Sequence, residues 1–176
     1  MKLYVDNYML QLVTPELYQE LFTRNQSEEI MEVLGLPDEK ALELERLRWQ
    51  GGMTMFNKSF HYFLIRTVVT GQVLGWCGYH TWYVWHHRAE IGYQIYDSSN
   101  RGKGIMKTVF RSVLQYGFEH MHLHRIEAMV ARENEPSIRL LEGHGFEYEG
   151  CLREHYYVNN VPEDSLVYGL LKKEFK

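Results

Sequence analysis

The stretch YDSSNRGKGIMKTVFRSVLQYGF, from Tyr96 to Phe118, decides the fold. In its second half, apolar residues recur with the spacing of about 3.6 that marks one face of a helix. These residues are Met106, Phe110, Val113, Leu114, Gly117 and Phe118, and the pattern continues to Met121. The pattern therefore predicts an amphipathic helix with one face packed against a core.

Two glycines precede this helix in the segment Arg101-Gly102-Lys103-Gly104. Because glycine has no side chain, successive backbone N–H groups there can approach one anion. The first N–H groups of a helix have no partner within the helix, and the helix dipole adds partial positive charge. The segment therefore indicates a phosphate-binding site. The alternative is a tight turn that binds no ligand.

Length and composition predict one domain spanning residues 1–176, since 176 residues can enclose a sizeable core. A net charge of −4 argues against nucleic acid or anionic lipid as partners. Cys77 and Cys151 are predicted to be free thiols in a reducing cytoplasm. The N-terminus lacks an apolar signal region, which agrees with a cytoplasmic location and no membrane partner. The 13 tyrosines and four tryptophans suggest a ligand groove or a subunit interface.

The remaining chain divides into strands and helices by its apolar pattern and its turn residues. Predicted strands cover 8–13, 61–69, 73–84, 90–96, 124–130, 146–158 and 164–171. Further helices are predicted from Thr14 to about Asn25, from Ser27 to Leu34, from Pro37 to Gly51-Gly52, and from Glu135 to Glu142. Hairpins that alternate with helical crossovers predict an α/β (α+β) fold. We expect a mixed, mostly antiparallel twisted sheet with helices on both faces.

Several motifs in this order carry a family resemblance. They are Ala89-Glu90-Ile91-Gly92-Tyr93, the loop Ser99 to Gly104, Asn134-Glu135-Pro136-Ser137, Gly145-Phe146, Glu149-Gly150, and Asp164 with Tyr168. The chain resembles the GNAT superfamily of acetyl-CoA-dependent N-acetyltransferases. It is most similar to the branch of bacterial ribosomal-protein alanine/serine N-terminal acetyltransferases, and the spermidine acetyltransferases come second. The family's loop reads Gln/Arg-x-x-Gly-x-Gly/Ala, so Ser99 departs from it while both glycines agree.

The resemblance implies acetyl-CoA as co-substrate, no metal, and a set of contacts to the CoA. Backbone amides of Arg101, Gly102, Lys103, Gly104, Ile105 and Met106 are expected to bind its pyrophosphate. The backbone of Ile95 and Tyr96 is expected to pair with the pantetheine as an added strand. Asn134 is expected to contact the CoA arm.

The resemblance also implies a base that removes a proton from the amine. Glu90 matches a glutamate that some family members use. Its alternative is a solvated strand carboxylate paired with Arg88. Another carboxylate, such as Glu154, also remains open as the base.

A second group must supply a proton or hydrogen bond to the leaving thiolate. Ser137 is the candidate, although serine is also common in the first turn of a helix. Many family members carry a tyrosine where this chain has Leu141, which raises the importance of Ser137. Tyr156 remains open as an alternative acid.

Two other clusters are interpreted without a functional role. His120, His122 and His124 are separated by two residues near a helix end, a spacing that argues against a metal site. Trp76, Trp82 and Trp85 are interpreted as core residues, with a substrate groove as the alternative.

The predicted function is transfer of an acetyl group from acetyl-CoA to a primary amine in a ternary complex. A protein or peptide N-terminal α-amine is the preferred acceptor. The alternatives are a spermidine-type or other small amine, or a non-catalytic acyl-CoA-binding protein. A homodimer is expected from the surplus of aromatic residues and from the habit of related enzymes.

Overall fold

Helices lie on both faces of one sheet in this structure, a computed structural model that describes residues 1–24, 27–50 and 60–176. The strands are β1 Lys2–Val5, β2 Tyr8–Val13, β3 His61–Thr67, β4 Val73–Tyr83, β5 Arg88–Ile95, β6 Arg125–Ala131, β7 Glu147–Val158 and β8 Val161–Leu171. The α-helices are α1 Pro15–Arg24, α2 Ser27–Leu34, α3 Glu39–Gln50, α4 Ile105–Glu119 and α5 Glu135–Glu142. Short 3-10 turns span Val84–His86 and Ser98–Asn100.

The sheet is mixed, as predicted, with the order β1-β2-β3-β4-β5-β6-β8-β7. Within the described ranges every neighbouring pair is antiparallel except β5 and β6. Helix α4 provides the crossover that a parallel pair requires. β5 and β6 pair only where Arg88–Glu90 face Arg125–Glu127. Beyond Glu90, β5 stays on β4 and β6 stays on β8, so an opening separates them.

The apolar face of α4 packs as the sequence predicted. Phe110, Val113 and Leu114 are fully buried against one face of the sheet, where α5 also packs. The opposite face carries α1, α2 and α3, whose buried side chains include Phe22 and Ile30. The β5–β6 opening therefore has α4 and α5 on one side of the sheet and α1, α2 and α3 on the other.

The predicted elements differ from the structure in a few places. β1 was missed because it is only four residues long and half exposed, which leaves too short a pattern to recognise. Gly51-Gly52, the predicted end of α3, lies outside the described residues. Trp76 and Trp82 pack against the cores, but the core assignment of Trp85 is wrong because it is 92% exposed.

Both cysteines are free thiols, as predicted; Cys77 is buried and Cys151 is partly exposed. No helix in the described part of the chain has the length and hydrophobicity needed to cross a membrane.

Candidate active site

A cavity of about 860 Å³ lies between the open end of β5, the start of α4 and the start of α5. Predicted site residues that line it are Ile95, Arg101, Gly102, Gly104, Ile105, Met106, Asn134 and Ser137. Side chains that sequence reasoning had not assigned include Tyr93, Arg139 and His144. Tyr96, Lys103 and Glu90 are not part of its lining.

The cavity reaches the N-terminus of α4. Gly104 is the residue before the helix, with φ of 79°, and it has no side chain to cap the helix. The helical hydrogen bonds begin with Thr108 N–H to the Gly104 carbonyl. The preceding N–H groups of Ile105, Met106 and Lys107 therefore have no acceptor within the helix. Such N–H groups at a helix start are an arrangement that can bind an anion, and here they lie next to the cavity.

Gly102 and Gly104 are favoured by the backbone conformation. Their φ angles are +74° and +79°, in the left-handed region that favours glycine. An added Cβ at either position would meet nothing within 4 Å among the described residues. A substitution here would therefore strain the loop without colliding with its surroundings.

The open half of β5 presents backbone groups to the cavity. Tyr96 N–H donates to the Leu74 carbonyl of β4 at 3.0 Å. Hydrogen bonding alternates along an antiparallel pair, so Ile95 and Tyr93 direct their backbone groups away from β4, toward the opening. The Ile95 carbonyl accepts from Arg101 Nε at 3.1 Å. Of the two predicted pantetheine partners, Ile95 has its N–H toward the cavity, whereas that of Tyr96 is bonded to β4.

Ser137 lies in the first turn of α5 and is half-buried at the cavity. Its N–H donates to Asn134 Oδ1 at 3.2 Å, so the Asn134 side chain caps the helix. Burial raises the pKa of Tyr93 to about 12, while a hydrogen bond with the Ser137 side chain opposes that rise. Tyr93 also packs edge-on against Phe110, with ring centroids 5.3 Å apart. The two hydroxyls therefore belong to one site.

Glu90 lies on the other face of the sheet, because side chains alternate along a strand and Tyr93 is an odd number of residues away. Its carboxylate is 3.7 Å from His80 Nδ1, and its side chain is 13% exposed. Burial, and then repulsion by Glu127, raises the pKa of Glu90 to about 7, against a lowering by Arg88. Such a carboxylate exchanges protons near neutral pH.

Gly92 shows which side chains share that face. A Cβ at Gly92 would come within 2.8 Å of the Trp76 ring and 2.9 Å of His80 Nε2. Trp76 packs with the helical layer of α1, α2 and α3. Burial, and then the charge of Glu90, raises the pKa of Tyr156. Tyr156 therefore lies on the Glu90 side of the opening rather than beside Ser137.

Tyr93, His144 and Glu127 were missed by sequence reasoning. Tyr93 and Glu127 each occupy an ordinary strand position, and His144 follows a short helix, so no spacing distinguishes them. Leu141, at the position where many family members have a tyrosine, is fully buried. Within the described ranges, no group of three or more His, Cys, Asp or Glu side chains is arranged to hold a metal ion.

A comparison with protein-family models matches residues 8–147 to the model described as "Acetyltransferase (GNAT) domain". Among curated proteins, the chain is similar to "Uncharacterized N-acetyltransferase YoaA" of Bacillus subtilis (strain 168). The two are 31% identical over 169 residues, which covers 95% of this chain and 94% of the relative.

Solved structures of other acetyltransferases share the fold. The ribosomal-protein-S5-alanine acetyltransferase from Vibrio fischeri is 22% identical with a TM-score of 0.68, covering 100% of this chain and 99% of that one. The spermidine N-acetyltransferase from Vibrio cholerae, in complex with CoA and spermine, is 24% identical with a TM-score of 0.69. That match covers 96% of this chain and 98% of the other.

Proposed function

The chain belongs to the GNAT acetyltransferase family, and we propose that it transfers the acetyl group of acetyl-CoA to the α-amine of a protein or peptide N-terminus. The observation that carries the proposal is the position of Glu90. A carboxyl group with a pKa of about 7 lies at the last paired residue before the β5–β6 opening. A cavity with an anion-binding end lies along the same strand.

The described residues fit acetyl-CoA. The uncapped start of α4 suits a pyrophosphate, and Lys107 and Arg139 add positive charge along the cavity. The N–H of Ile95 suits a pantetheine amide, which pairs with a strand edge through backbone groups. We propose these contacts, together with those of Arg101 and the loop glycines, as the acetyl-CoA site. Tyr96 and Lys103 lie outside the cavity lining, so their contribution to acetyl-CoA binding is proposed to be smaller than that of the lining residues.

The two faces of the opening receive different partners in this proposal. Ser137 and Tyr93 lie on the α4–α5 side with the thioester. Glu90 lies on the α1–α3 side, from which the amine arrives. The amine is protonated at neutral pH and becomes a nucleophile only after it loses a proton. Glu90 takes that proton, with a water molecule bridging any gap.

Ser137 is proposed to hydrogen-bond the sulfur as the thiolate leaves. It lines the cavity, and the N–H bond to Asn134 fixes its position at the start of α5. The high pKa of Tyr93 keeps its hydroxyl protonated at neutral pH, so it remains a hydrogen-bond donor beside Ser137. Tyr156 is a weaker candidate for this role, because it lies with Glu90.

The pKa of Glu90 favours an α-amine as acceptor. An α-amine has a pKa of about 7.7–8.0, and a lysine-type amine has one of about 10.4. Proton transfer from an α-amine to a carboxylate with a pKa of about 7 is therefore unfavourable by about 1 pKa unit. Transfer from a lysine-type amine is unfavourable by about 3.4 units, or about 4.6 kcal/mol. The site therefore suits the less basic amine.

A polyamine is the second candidate acceptor. The net charge of −4 attracts a polycation. The acidic side chain of Glu127 also faces Glu90 across the β5–β6 pair. The shared fold does not choose between the two acceptors, since both solved neighbours have it.

The test is a comparison of kcat/KM for alanine- or serine-starting peptides with that for spermidine, using acetyl-CoA as donor. We expect the peptides to be preferred and Glu90→Gln to lower the rate for every accepted amine. A tenfold or greater preference for spermidine would overturn the proposed acceptor but keep the acetyl transfer. Turnover of neither amine class, despite acetyl-CoA binding, would overturn the proposal as a whole.

We also propose that the protein forms a homodimer. Support comes from exposed apolar side chains on the edge strand β7 and the adjoining hairpin. These include Tyr148, Leu152, Tyr156, Tyr157 and Val161. Sedimentation at micromolar concentration should give twice the 21.0 kDa chain mass. A single species at the chain mass would contradict the dimer.

A further inference from the structure

Four charged residues occupy the end of the β5–β6 pairing. Arg88 pairs with Arg125, and two residues later Glu90 pairs with Glu127. Residues two apart on a strand share a face, so all four side chains project from the same side of the sheet. Glu127 is one of the two buried polar or charged residues in the described part of the chain, at 7% exposure. A buried carboxylate needs partners to offset its lost hydration.

Both oxygens of Glu127 are held by arginines. Arg88 Nη1 donates to Glu127 Oε1, and Arg125 Nε donates to Glu127 Oε2 at 3.2 Å. Arg125 also donates through Nη1 to Glu149 Oε1 at 2.6 Å. The Arg88 guanidinium lies 4.1 Å above the centre of the Tyr83 ring. Arg88 is therefore fixed by Glu127 on one side and by an aromatic ring on the other.

Glu90 has a different set of neighbours. The groups that face it are His80 from β4, Arg88 from its own strand, Glu127 from β6 and Tyr156 from β7. Among the described residues, His80 is the only basic side chain within 4 Å of its carboxylate. Burial lowers the pKa of His80, so its ring is mostly neutral at neutral pH. Glu90 thus lacks a cationic partner although an arginine stands two residues away.

We propose that Glu127 is a positioning residue of the acetyl transfer, which holds Arg88 in an ion pair and so keeps that guanidinium from neutralising Glu90. The inference rests on the proposed function, in which Glu90 is the base. An arginine in contact with a carboxylate stabilises its ionised form and makes it a weaker proton acceptor. Glu127 limits that effect by holding Arg88, and it adds a like charge beside Glu90, which favours the protonated form further.

The predicted consequence is specific to the acid side of the pH profile. If Glu127 becomes Gln, Arg88 loses its partner and is free to turn to Glu90. The acid limb of kcat/KM should then move to lower pH by about one unit, and the plateau rate should fall. Arg88→Gln in the same chain removes the competing cation. The double variant should therefore return the limb and the plateau toward those of the parent.

The experiment measures pH profiles with two acceptors whose amines differ in pKa. If the pH of the acid limb is the same for both acceptors, the limb reports a group on the enzyme. Loss of that limb in Glu90→Gln identifies the group as Glu90. Glu149→Gln is the matched control, because Glu149 binds Arg125 at the outer end of the charge chain. It should leave the limb unchanged. An ion pair with only a structural role would alter stability in Glu127→Gln and leave the limb in place, which would overturn the inference.

Arg88→Gln alone gives a test that does not require Glu127→Gln to fold. Arg88 lowers the pKa of Glu90 only in part, because Glu127 holds its guanidinium, so removal of Arg88 should move the limb to higher pH by much less than about one unit. A shift of about one unit or more in this variant would show that Glu127 does not hold Arg88 away from Glu90, and would overturn the inference. A parent enzyme whose profile has no Glu90-dependent limb would overturn the role of Glu90 itself. The two failures are therefore distinguishable.

Discussion

The two halves of β5 use the same backbone in different ways. From Arg88 to Glu90 the strand is paired with β4 on one side and β6 on the other, so its backbone groups are hydrogen-bonded within the sheet. Only the side chains of this half, two of them charged, are left to contact a substrate. From Ile91 to Ile95 it is paired only with β4, and its free backbone edge lines a cavity. The paired half suits proton chemistry, and the open half suits binding of an extended chain of amides.

The difference predicts how each half responds to substitution. Function in the paired half depends on which side chains are present and on the charges around them. Function in the open half depends on the main chain, so side-chain changes there should be tolerated, except at Tyr93, whose hydroxyl lies beside Ser137. Four predictions test this contrast, in order of decreasing effect.

The largest effect is expected in the paired half. Glu90→Gln removes the proposed base and should lower kcat by about 10²–10⁴-fold at neutral pH. Part of the rate should return at high pH, where the amine loses its proton to solvent. A steady-state pH series measures this. Parent rates for Glu90→Gln across the whole series would show that another carboxylate is the base.

Ser137→Ala tests the other side of the opening. Loss of one hydrogen-bond donor to developing charge should lower kcat by about 10²-fold. Affinity for CoA, measured by calorimetry, should stay near that of the parent, because the hydroxyl acts on the leaving sulfur. Tyr156→Phe is the matched comparison and should lower kcat much less. The reverse order of these two effects would assign the acid role to Tyr156.

Glu90 should also limit stability. Its pKa is raised to about 7 in the fold from an ordinary value of 4.5, so the folded state binds more protons between these pH values. Its contribution to stability is therefore present below about pH 4.5 and is lost as pH rises to about 7. This difference of about 2.5 pKa units corresponds to about 3 kcal/mol, so Glu90→Gln should be about 3 kcal/mol more stable at pH 8, with little difference near pH 4.5. Denaturant unfolding at both pH values tests this, and an equal or lower stability at pH 8 would contradict it.

The smallest effect is expected from the open half. Ile95→Pro removes an N–H that faces the cavity without breaking a bond to β4. It should weaken acetyl-CoA binding by about 1 kcal/mol, or about fivefold. Ile95→Val keeps the N–H and should bind like the parent. Equal affinities for the two variants would show that this backbone donor is not used.

The loop and helix beside the open half of β5 could be predicted from the sequence, because the signals for them are local. The helical period of Met106 to Phe118 and the positions of Gly102 and Gly104 are visible within one stretch of chain. A helix start and a positive φ depend on the residues nearby. Helix α4 begins directly after Gly104, as the pattern indicated, and the structure adds that both glycines have a positive φ.

The paired half could be predicted only in part. Glu90 was identified by resemblance, but its surroundings come from β4, β6 and β7, which are distant in sequence. The bond between Arg88 and Glu127 spans 39 residues, and no local pattern indicates it. The direction of the Tyr96 N–H also depends on the β4–β5 register, which a single strand pattern does not specify.

The most direct test separates binding from chemistry in one pair of variants. Acetyl-CoA affinity and kcat are measured for Gly104→Val and Glu90→Gln beside the parent. A β-branched residue at a φ of +79° strains the loop, so Gly104→Val should remain folded but lose the rise in melting temperature that acetyl-CoA gives the parent. Glu90→Gln should keep that rise and lose turnover. Acetyl-CoA stabilisation that persists in Gly104→Val, or disappears in Glu90→Gln, would contradict the separation of acetyl-CoA binding, at the loop before α4, from proton transfer, at Glu90.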